Sequence, residues 1–530
     1  MVDDENEWIV LGENKGKINL VSKSDVPALL PKGSFLTIES DSDHDNKFIL
    51  RVDNSQQNEP YQPSPMLADM DLELLDPDRS CQNAVAAFRI DETNPRDDGL
   101  VDYIKPQSKA RRSTQDEVEE AVGENDGPPL FLSSVYSGEN RLLRDNQNNF
   151  LTARMPEEAY YHQMMICGKT GSGKTVASKY LAQYFVEEME GAVLALNVKD
   201  DDFLKMDQPS HIENSGIKEE WGLLGENERG IKGFRVYRPA NTEIRSNDVN
   251  QDKVEEITLD VAEIEPESLT GLLKNVTDVA AMQLPDIFRY WKEEEFEDIK
   301  ESDATFSDFI DYFRQAEDDD RNFDAVNAQG HNRNVKMHHG TYQSVLRSLG
   351  HASSFFDNEE ASSLDAEDIL QEGKFSVINV TGSKGTQFGS IMLRDLLDDI
   401  VDAKVSDNEE EFPPILIIID EVHQFYDKDS SEKALEDLSR ICRKGRSQKM
   451  GVIFSSQNPA DIPNGLSSVI NSKIFFRTDA KEARSLGVDL RKEELQNLDK
   501  GYSAATIHGI SEVNLFKFPL AYAGVFERDN

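Results

Sequence analysis

A glycine-rich octapeptide stands out among the residues whose types and spacing could do chemistry. Residues 168–175 read GKTGSGKT and match the pattern G-x-x-x-x-G-K-[ST]. A predicted apolar strand, Gln163–Cys167, precedes the octapeptide and a predicted helix, Val176–Glu190, follows it. Glycines let a backbone wrap around phosphates with its N–H groups pointing inward, and a helix N-terminus adds partial positive charge. The sequence therefore predicts an ATP-binding loop made of Gly168, Lys169, Thr170, Gly171, Ser172, Gly173, Lys174 and Thr175.

An aliphatic run that ends in two acids is the second pattern. Ile415–Ile419 predicts a buried strand, and Asp420 and Glu421 follow it directly. We expect Lys174 to reach the β- and γ-phosphates of ATP, and Asp420 to hold Mg²⁺ through water together with the hydroxyl of Thr175. Glu421 would polarise the attacking water as a general base. A pure nucleotide switch has less need of that base, so the pair favours ATP hydrolysis.

The next predicted strand is Gly451–Ser455, and the polar residue Gln457 lies two positions after it. At the end of a strand beside the acidic strand, such a side chain can contact the γ-phosphate or the attacking water. Gln457 is therefore a candidate catalytic residue, and a cap at the strand end is the structural alternative.

The stretch from Leu438 to Lys481 is basic, although the whole chain carries a net charge of −44. It contains eight Lys or Arg and two Asp, a local charge of +6. A predicted amphipathic helix, Glu432–Arg446, leaves Arg440 and Lys444 on its polar face. One interpretation is an arginine finger for a neighbouring subunit's ATP, with further contacts to a nucleic-acid backbone. The other is a solvated helix face.

Strands and helices that alternate from about residue 160 onward must position these groups. This alternation predicts an α/β fold with a parallel sheet, the RecA-like core of a P-loop ATPase. We expect residues 151–264 to form the first part of the core and residues 373–530 to form its second part and a C-terminal tail. Residues 265–372 interrupt the alternation and predict a helical insertion, with helical patterns over Leu269–Leu284, Phe306–Arg314 and Thr341–Leu349.

The N-terminal part has a different pattern. Residues 1–104 contain short predicted strands at near-regular spacing, which indicates a small β-barrel. Residues 105–129 contain few aliphatic residues and predict an acidic and polar linker. A strand within residues 130–150 could then return to complete the barrel.

The composition indicates the class of protein and the conditions in which it works. The chain has 530 residues, with 101 Asp or Glu against 57 Lys or Arg. Acidic loops that promote solubility or interaction would explain the excess, but we favour a halophilic protein, adapted to high internal salt, where charge repulsion is screened. The three cysteines indicate neither a disulfide framework nor a zinc site. The N-terminus lacks the pattern of a signal peptide, and no apolar run approaches the length of a membrane span. We therefore expect a cytoplasmic protein without a membrane partner.

Three segments in the same order resemble the HerA-like branch of the HerA/FtsK ATPases. They are GKTGSGKT at 168–175, IIIDEVHQF at 417–425 and RKGRSQKMGVIFSSQNPADIP at 443–463. A small barrel before the ATPase is similar to the HAS-barrel of that family. The resemblance implies a homo-hexameric ring that pumps double-stranded DNA through its channel, with ATP bound between subunits. Archaeal members work with a partner nuclease, NurA, in DNA end resection, and other relatives serve phage defence with different effectors.

The resemblance also implies a role for Arg446, which stands where the family carries its trans-acting arginine finger; Arg443 is the fallback. The segment Asn197–Asp202 departs from an Asp-x-x-Gly-Glu-Tyr-like segment of the family. Tyr160–His162 stands where many members carry a basic residue, so a second, cis-acting arginine is not identified. Two other classes stay open: a conjugation-type or secretion ATPase, and a nucleotide-gated scaffold for an antiphage defence effector.

Overall fold

The computed structural model of the chain separates into two compact units. The smaller unit comprises residues 1–157 and 474–519, and the larger comprises 158–473 and 520–530. The structure describes residues 7–22, 29–39, 46–58, 82–95, 98, 100–136, 139–199, 202–240, 242–244, 246, 248–272, 278–295, 304–381, 385–405, 412–426, 436–462, 466, 469–478, 492–510 and 514–526. We predicted residues 373–530 as core and tail, but residues 474–519 belong to the smaller unit.

The predicted N-terminal barrel is present in the smaller unit and has six strands in the order β1-β2-β5-β4-β3-β6. Pairing of β1 with β6 closes it. Alternate side chains point inward, as in β2, and the interior is filled by aliphatic and aromatic residues such as Trp8, Leu36 and Val52. The strands are β1 (Trp8–Asn14), β2 (Lys17–Ser22), β3 (Phe35–Glu39), β4 (Lys47–Asn58), β5 (Gln82–Glu92) and β6 (Lys109–Arg112).

The last barrel strand corrects the predicted linker. Residues 105–129 contain β6 and a helix, Gln115–Val122, instead of an unstructured connection. β6 is a four-residue strand whose single apolar side chain, Ala110, is fully buried, so no aliphatic run marks it. Because β6 closes the barrel, the completing strand expected within residues 130–150 is not needed there. That region instead holds β7 (Pro129–Tyr136) and β8 (Glu139–Leu142), which pair in the order β20-β21-β7-β8 with β20 (Tyr502–Thr506) and β21 (Asn514–Lys517), and β9 (Thr152–Arg154) also pairs with β7.

The predicted parallel sheet is the centre of the larger unit. Its order is β13-β12-β16-β11-β17-β18-β10, and every neighbouring pair is parallel. The inner strands are buried on both faces, which explains their aliphatic runs. The strands of the larger unit are β10 (Met164–Cys167), β11 (Ala192–Asn197), β12 (Gly233–Pro239), β13 (Val254–Ile257), β14 (Asn322–Val326), β15 (Asn332–Lys336), β16 (Lys374–Asn379), β17 (Ile415–Ile419) and β18 (Met450–Ser456).

The remaining strands and the helices complete the two units. β19 (Ser472–Phe475) carries the chain to the smaller unit, which also holds β7 (Pro129–Tyr136), β8 (Glu139–Leu142), β9 (Thr152–Arg154), β20 (Tyr502–Thr506), β21 (Asn514–Lys517) and a helix, Lys492–Gln496. The helices of the larger unit are Lys174–Glu187, Ser215–Leu223, Asp278–Tyr290, Phe306–Gln315, His339–Ala352, Ala366–Ile369, Gly385–Val405 and Glu436–Gln448. Short 3₁₀ turns cover Glu157–His162, Gln251–Lys253, Pro266–Leu272, Ser353–Phe355, Val422–Gln424 and Pro459–Asp461, and Trp291–Glu295 is a π-helical turn.

The predicted insertion contains helices and also an antiparallel hairpin. In the described part of residues 265–372, three helices of ten or more residues surround aromatic side chains that contact one another, including Phe288, Phe309 and Phe313. The hairpin pairs β14 with β15. β15 is polar apart from Val335, its one buried residue, which explains why no strand was predicted there.

Candidate nucleotide site

The glycine-rich loop lies at the carboxyl end of β10, and its two central glycines allow its path. Gly171 has φ +76° and Gly173 has φ +114°, a left-handed region that glycine adopts without strain. The helix begins at Lys174, directly after the second of these glycines. The loop therefore joins a buried strand to a helix N-terminus, which is the geometry that binds phosphate.

The lysine of the loop points into the site. The Lys174 side chain is buried, and its Nζ donates a hydrogen bond of 2.7 Å to the carbonyl of Gly168. Burial lowers the pKa of Lys174, and the charges of Glu421 and Asp420 oppose this effect. The same carboxylates thus keep an ammonium available for a phosphate that arrives at the loop.

Both acids after β17 are almost completely buried. Asp420 is 4% exposed and Glu421 is 1% exposed. Burial raises the pKa of Asp420, although the nearby Ser455 hydroxyl and the charges of Lys199 and Lys174 act in the opposite direction. Burial alone would also raise the pKa of Glu421, but hydrogen bonds from Lys199 and Gln457 outweigh it, so this pKa lies below its usual range. Glu421 is therefore ionised at neutral pH, as a general base must be.

The backbone of Glu421 is held in an unusual conformation. Its φ of +47° and ψ of +57° lie in the left-handed region, which costs a residue other than glycine about 1–3 kcal/mol. The strain turns the chain sharply after β17, where the 3₁₀ turn Val422–Gln424 begins.

Gln457 connects the loop to the acidic strand. The hydroxyl of Thr170 donates to Gln457 Oε1 at 3.1 Å, and Gln457 Nε2 donates to Glu421 Oε1 at 2.9 Å. The sheet order explains this contact, because β18 lies between β17 and β10. Three predicted site residues are thus brought together.

A residue that was not predicted, Lys199, also reaches the site. It follows β11, and its Nζ makes an ion pair with Glu421 Oε1. On the other side, Nδ1 of His423 lies 3.4 Å from Glu421 Oε2 and 3.8 Å from an oxygen of Asp461. The sequence places Lys199 directly after a predicted strand, and parallel strands end at one edge of a sheet. It reaches Glu421 because β11 is the neighbour of β17, which the structure shows.

The remaining residues of the loop fit a nucleotide with Mg²⁺. Lys169 and Thr170 are exposed, Thr175 is half-buried and Ser172 is buried. Among the described residues, neither the Ser172 hydroxyl nor Oε2 of Glu421 has a hydrogen-bond partner, so both of these buried polar atoms can contact a ligand. Hydroxyl and carboxylate oxygens are the ligands that Mg²⁺ prefers, and Thr175 and Asp420 supply them.

Arg446 lies away from the loop of its own chain. Its side chain is 67% exposed, and its Nη2 forms an ion pair of 2.5 Å with Glu158 Oε1. Arg446 precedes β18 and Glu158 precedes β10, so the pair sits by the amino ends of these parallel strands. The glycine-rich loop lies at the opposite, carboxyl end of β10. The structure therefore does not join Arg446 to the other predicted site residues within one chain.

The helix that carries Arg446 spans Glu436–Gln448 in the structure. Arg440, on the predicted polar face, bonds Asp398 and Asp402 of the helix Gly385–Val405. Arg443 and Lys444 are exposed. One of the eight basic residues of this stretch is therefore occupied in joining two helices, while Lys481 lies outside the described residues.

Comparison with known proteins places the chain among HerA-like proteins. The family described as "Helicase HerA-like C-terminal" matches residues 139–481. The "DNA double-strand break repair helicase HerA" of Saccharolobus solfataricus is 29% identical over 153 residues, 27% of this chain and 30% of that protein. Its counterpart in Sulfolobus acidocaldarius is 22% identical over 237 residues, 44% of this chain and 46% of that protein. The matches thus span from about a third to just under half of the length of these relatives.

The comparison with solved structures finds a plasmid coupling protein and VirB4. The plasmid coupling protein TrwB, in complex with a GTP analogue, aligns with 71% of this chain and 89% of its own at 13% identity and a TM-score of 0.44. VirB4 of Thermoanaerobacter pseudethanolicus aligns with 74% of this chain and 97% of its own at 14% identity and a TM-score of 0.45. Among the described residues, no helix combines the length and apolar character needed to cross a membrane. With the family match over more than half of its residues and the nucleotide loop and acidic strand end in place, the chain belongs to the HerA-like helicase family.

Proposed function

We propose that this protein is a Mg²⁺-dependent ATPase that drives the movement of double-stranded DNA. The observation that carries the proposal is the convergence of side chains from neighbouring strand ends. Lys174 after β10, Glu421 after β17 and Gln457 after β18 meet at one edge of the sheet. A cation, a buried ionised carboxylate and an amide beside a phosphate loop are the groups that hydrolysis of a nucleoside triphosphate requires.

Each residue has a defined role in this proposal. Lys174 would exchange its bond to the Gly168 carbonyl for oxygens of the β- and γ-phosphates. Thr175 and Asp420 would hold Mg²⁺, which when bound neutralises charge on the phosphates. Glu421 would accept a proton from the attacking water through Oε2, the oxygen that lacks a hydrogen bond. Gln457 bonds both the loop and Glu421. A change at the phosphates that moves Gln457 would therefore also move the carboxylate of the base.

We infer a ring in which Arg446 completes the site of a neighbouring subunit. Its exposed position by the amino ends of β10 and β18 supports this role, since the phosphate loop of the same chain lies at the other end of β10. An arginine finger supplied by another molecule accelerates phosphoryl transfer about 10³–10⁵-fold in known cases. We propose a homo-hexamer, in keeping with the HerA resemblance, with ATP between subunits.

Double-stranded DNA and a nuclease complete the proposal. The named relatives are DNA double-strand break repair helicases, which supports DNA as the substrate. A NurA-like nuclease as the partner in end processing is proposed from the HerA resemblance alone. The net charge of −44 would oppose DNA at low ionic strength. We therefore expect the protein to act in a cytoplasm of high salt, where the Debye length falls to about 3 Å at 1 M.

The test is the rate of ATP hydrolysis with and without linear duplex DNA, across potassium chloride concentrations from low to molar. We expect DNA to stimulate hydrolysis, and Glu421→Gln to abolish hydrolysis while ATP binding is kept. Glu219→Gln, the same change on the exposed face of the helix Ser215–Leu223, is the matched control and should behave as wild type. An absence of stimulation at every salt concentration would overturn the assignment to DNA translocation, and full activity of Glu421→Gln would overturn the assigned base.

A further inference from the structure

The ion pair between Lys199 and Glu421 helps to keep that carboxylate ionised, and it also occupies one of the two carboxylate oxygens. Glu421 Oε1 accepts from both Lys199 and Gln457, so its hydrogen-bonding capacity is taken by protein donors. Among the described residues, its buried Oε2 has no hydrogen bond, and Nδ1 of His423 lies 3.4 Å from it. The carboxylate on which hydrolysis depends is thus held mainly through one oxygen.

The sheet order gives the direction of this tie. β17, which carries Glu421, has β11 on one side and β18 on the other, and β10 with the phosphate loop lies beyond β18. Lys199 follows β11 and therefore approaches Glu421 from the side away from the loop. Gln457 approaches from the loop side and contacts Thr170 of the loop. Lys199 and Gln457 therefore donate to the same oxygen of Glu421 from opposite sides of β17.

The two hydrogen bonds to Glu421 Oε1 differ in strength. A hydrogen bond between an ammonium and a carboxylate is charge-assisted and stronger than one from a neutral amide. The Lys199 side chain is 42% exposed, whereas that of Glu421 is 2% exposed, so the lysine is the partner that can move into solvent.

We propose that Lys199 is a positioning residue that holds the Glu421 carboxylate away from the attacking water until nucleotide and DNA are both bound. This inference rests on the proposed ATPase function. Lys199 slows hydrolysis in the absence of DNA, and separation of its ammonium from Glu421 frees the base. Coupling of hydrolysis to DNA then depends on this lysine.

The test compares Lys199→Met with wild type in steady-state ATP hydrolysis, first without DNA. Methionine keeps the length of the side chain and removes the ammonium. We expect kcat without DNA to rise about tenfold, which corresponds to about 1.4 kcal/mol, with KM for ATP changed less than threefold. With saturating DNA, kcat should stay near the wild-type value, so the stimulation ratio falls by the same factor.

Two further variants make the result specific. Lys199→Arg retains a cationic donor and should restore a low rate without DNA, which a role in packing alone would not predict. Lys218→Met, the same change at an exposed site on the helix Ser215–Leu223, should leave both rates unchanged. A fall in kcat without DNA, or a tenfold rise in KM, would overturn the proposal, because Lys199 would then assist hydrolysis or bind ATP. A wild-type enzyme that DNA does not stimulate would refute the translocase function, yet the rate comparison without DNA would still test the restraint.

Discussion

Mixed rings of two inactive variants test whether Arg446 acts across subunits. Lys174→Ala removes the loop ammonium, and Arg446→Ala removes the exposed guanidinium that pairs with Glu158. Because β18 has seven residues, its two ends lie about 20 Å apart at roughly 3.3 Å per residue. An arginine that precedes β18 therefore cannot serve the loop beyond its far end in the same chain. We expect either variant alone to hydrolyse ATP at least about 10³-fold more slowly than wild type.

The size of the recovery follows from counting interfaces. In a ring assembled from equal amounts of both variants, half of the loops carry Lys174 and half of the facing subunits carry Arg446. If the finger acts in trans, about a quarter of the interfaces contain both intact residues, since a ring uses one head-to-tail interface throughout. Hydrolysis should then recover to about a quarter of the wild-type rate. Coordination between subunits would lower that value, but not to the level of the single variants.

The assay is ATP hydrolysis by rings co-purified through two different affinity tags, one on each variant. A mixture of Lys174→Ala with Arg443→Ala is the matched control for the fallback arginine, and Arg443→Ala alone should remain active. Mixed Lys174→Ala and Arg446→Ala rings that stay as inactive as either parent would refute the reasoning, because a finger acting in cis is never restored by mixing.

Two other predictions concern Gln457 and the barrel. Gln457→Ala removes the bridge between Thr170 and Glu421, so kcat for ATP should fall about 100-fold while KM changes little; an unchanged kcat in steady-state assays would exclude a catalytic role. In the barrel, Arg111 binds both carboxylate oxygens of Glu117 and lowers the pKa of that buried side chain to about 2, despite a burial effect that would raise it. Stability from a lowered acid pKa is complete above the unfolded value near 4.5 and is lost as the pH falls toward 2, so Glu117→Gln should reduce the free energy of unfolding by about 3 kcal/mol at pH 7 and by much less near pH 2. Hydrogen exchange of the β6 amides measures this loss, and equal protection in both proteins at pH 7 would contradict it.

The glycine-rich loop and the acidic strand end could be predicted from the sequence because each is a local pattern with its chemistry built in. The aliphatic run before Asp420 and Glu421 indicates a buried strand, and the two acids mark the residue at which it ends. β6, in contrast, has one apolar residue, and β13 has only Ile257 buried. Edge or closing strands of this kind show no aliphatic run, so composition alone assigned residues 105–129 to a linker.

The contact between Lys199 and Glu421 shows a different limit. These residues are 222 positions apart, and only the order of strands makes them neighbours. The order follows from packing over the whole unit, including β11 between β16 and β17. A local pattern could identify Glu421 as the base, but the restraint on it became visible only with the sheet.

Displacement of a triplex-forming oligonucleotide from linear duplex DNA is the most direct test of an ATP-driven DNA motor. The assay is run in molar potassium chloride with ATP and Mg²⁺. The proposed mechanism predicts that the wild-type protein displaces the third strand only with ATP, and that Glu421→Gln leaves it in place. A wild-type protein that hydrolyses ATP while the triplex stays intact would contradict DNA translocation.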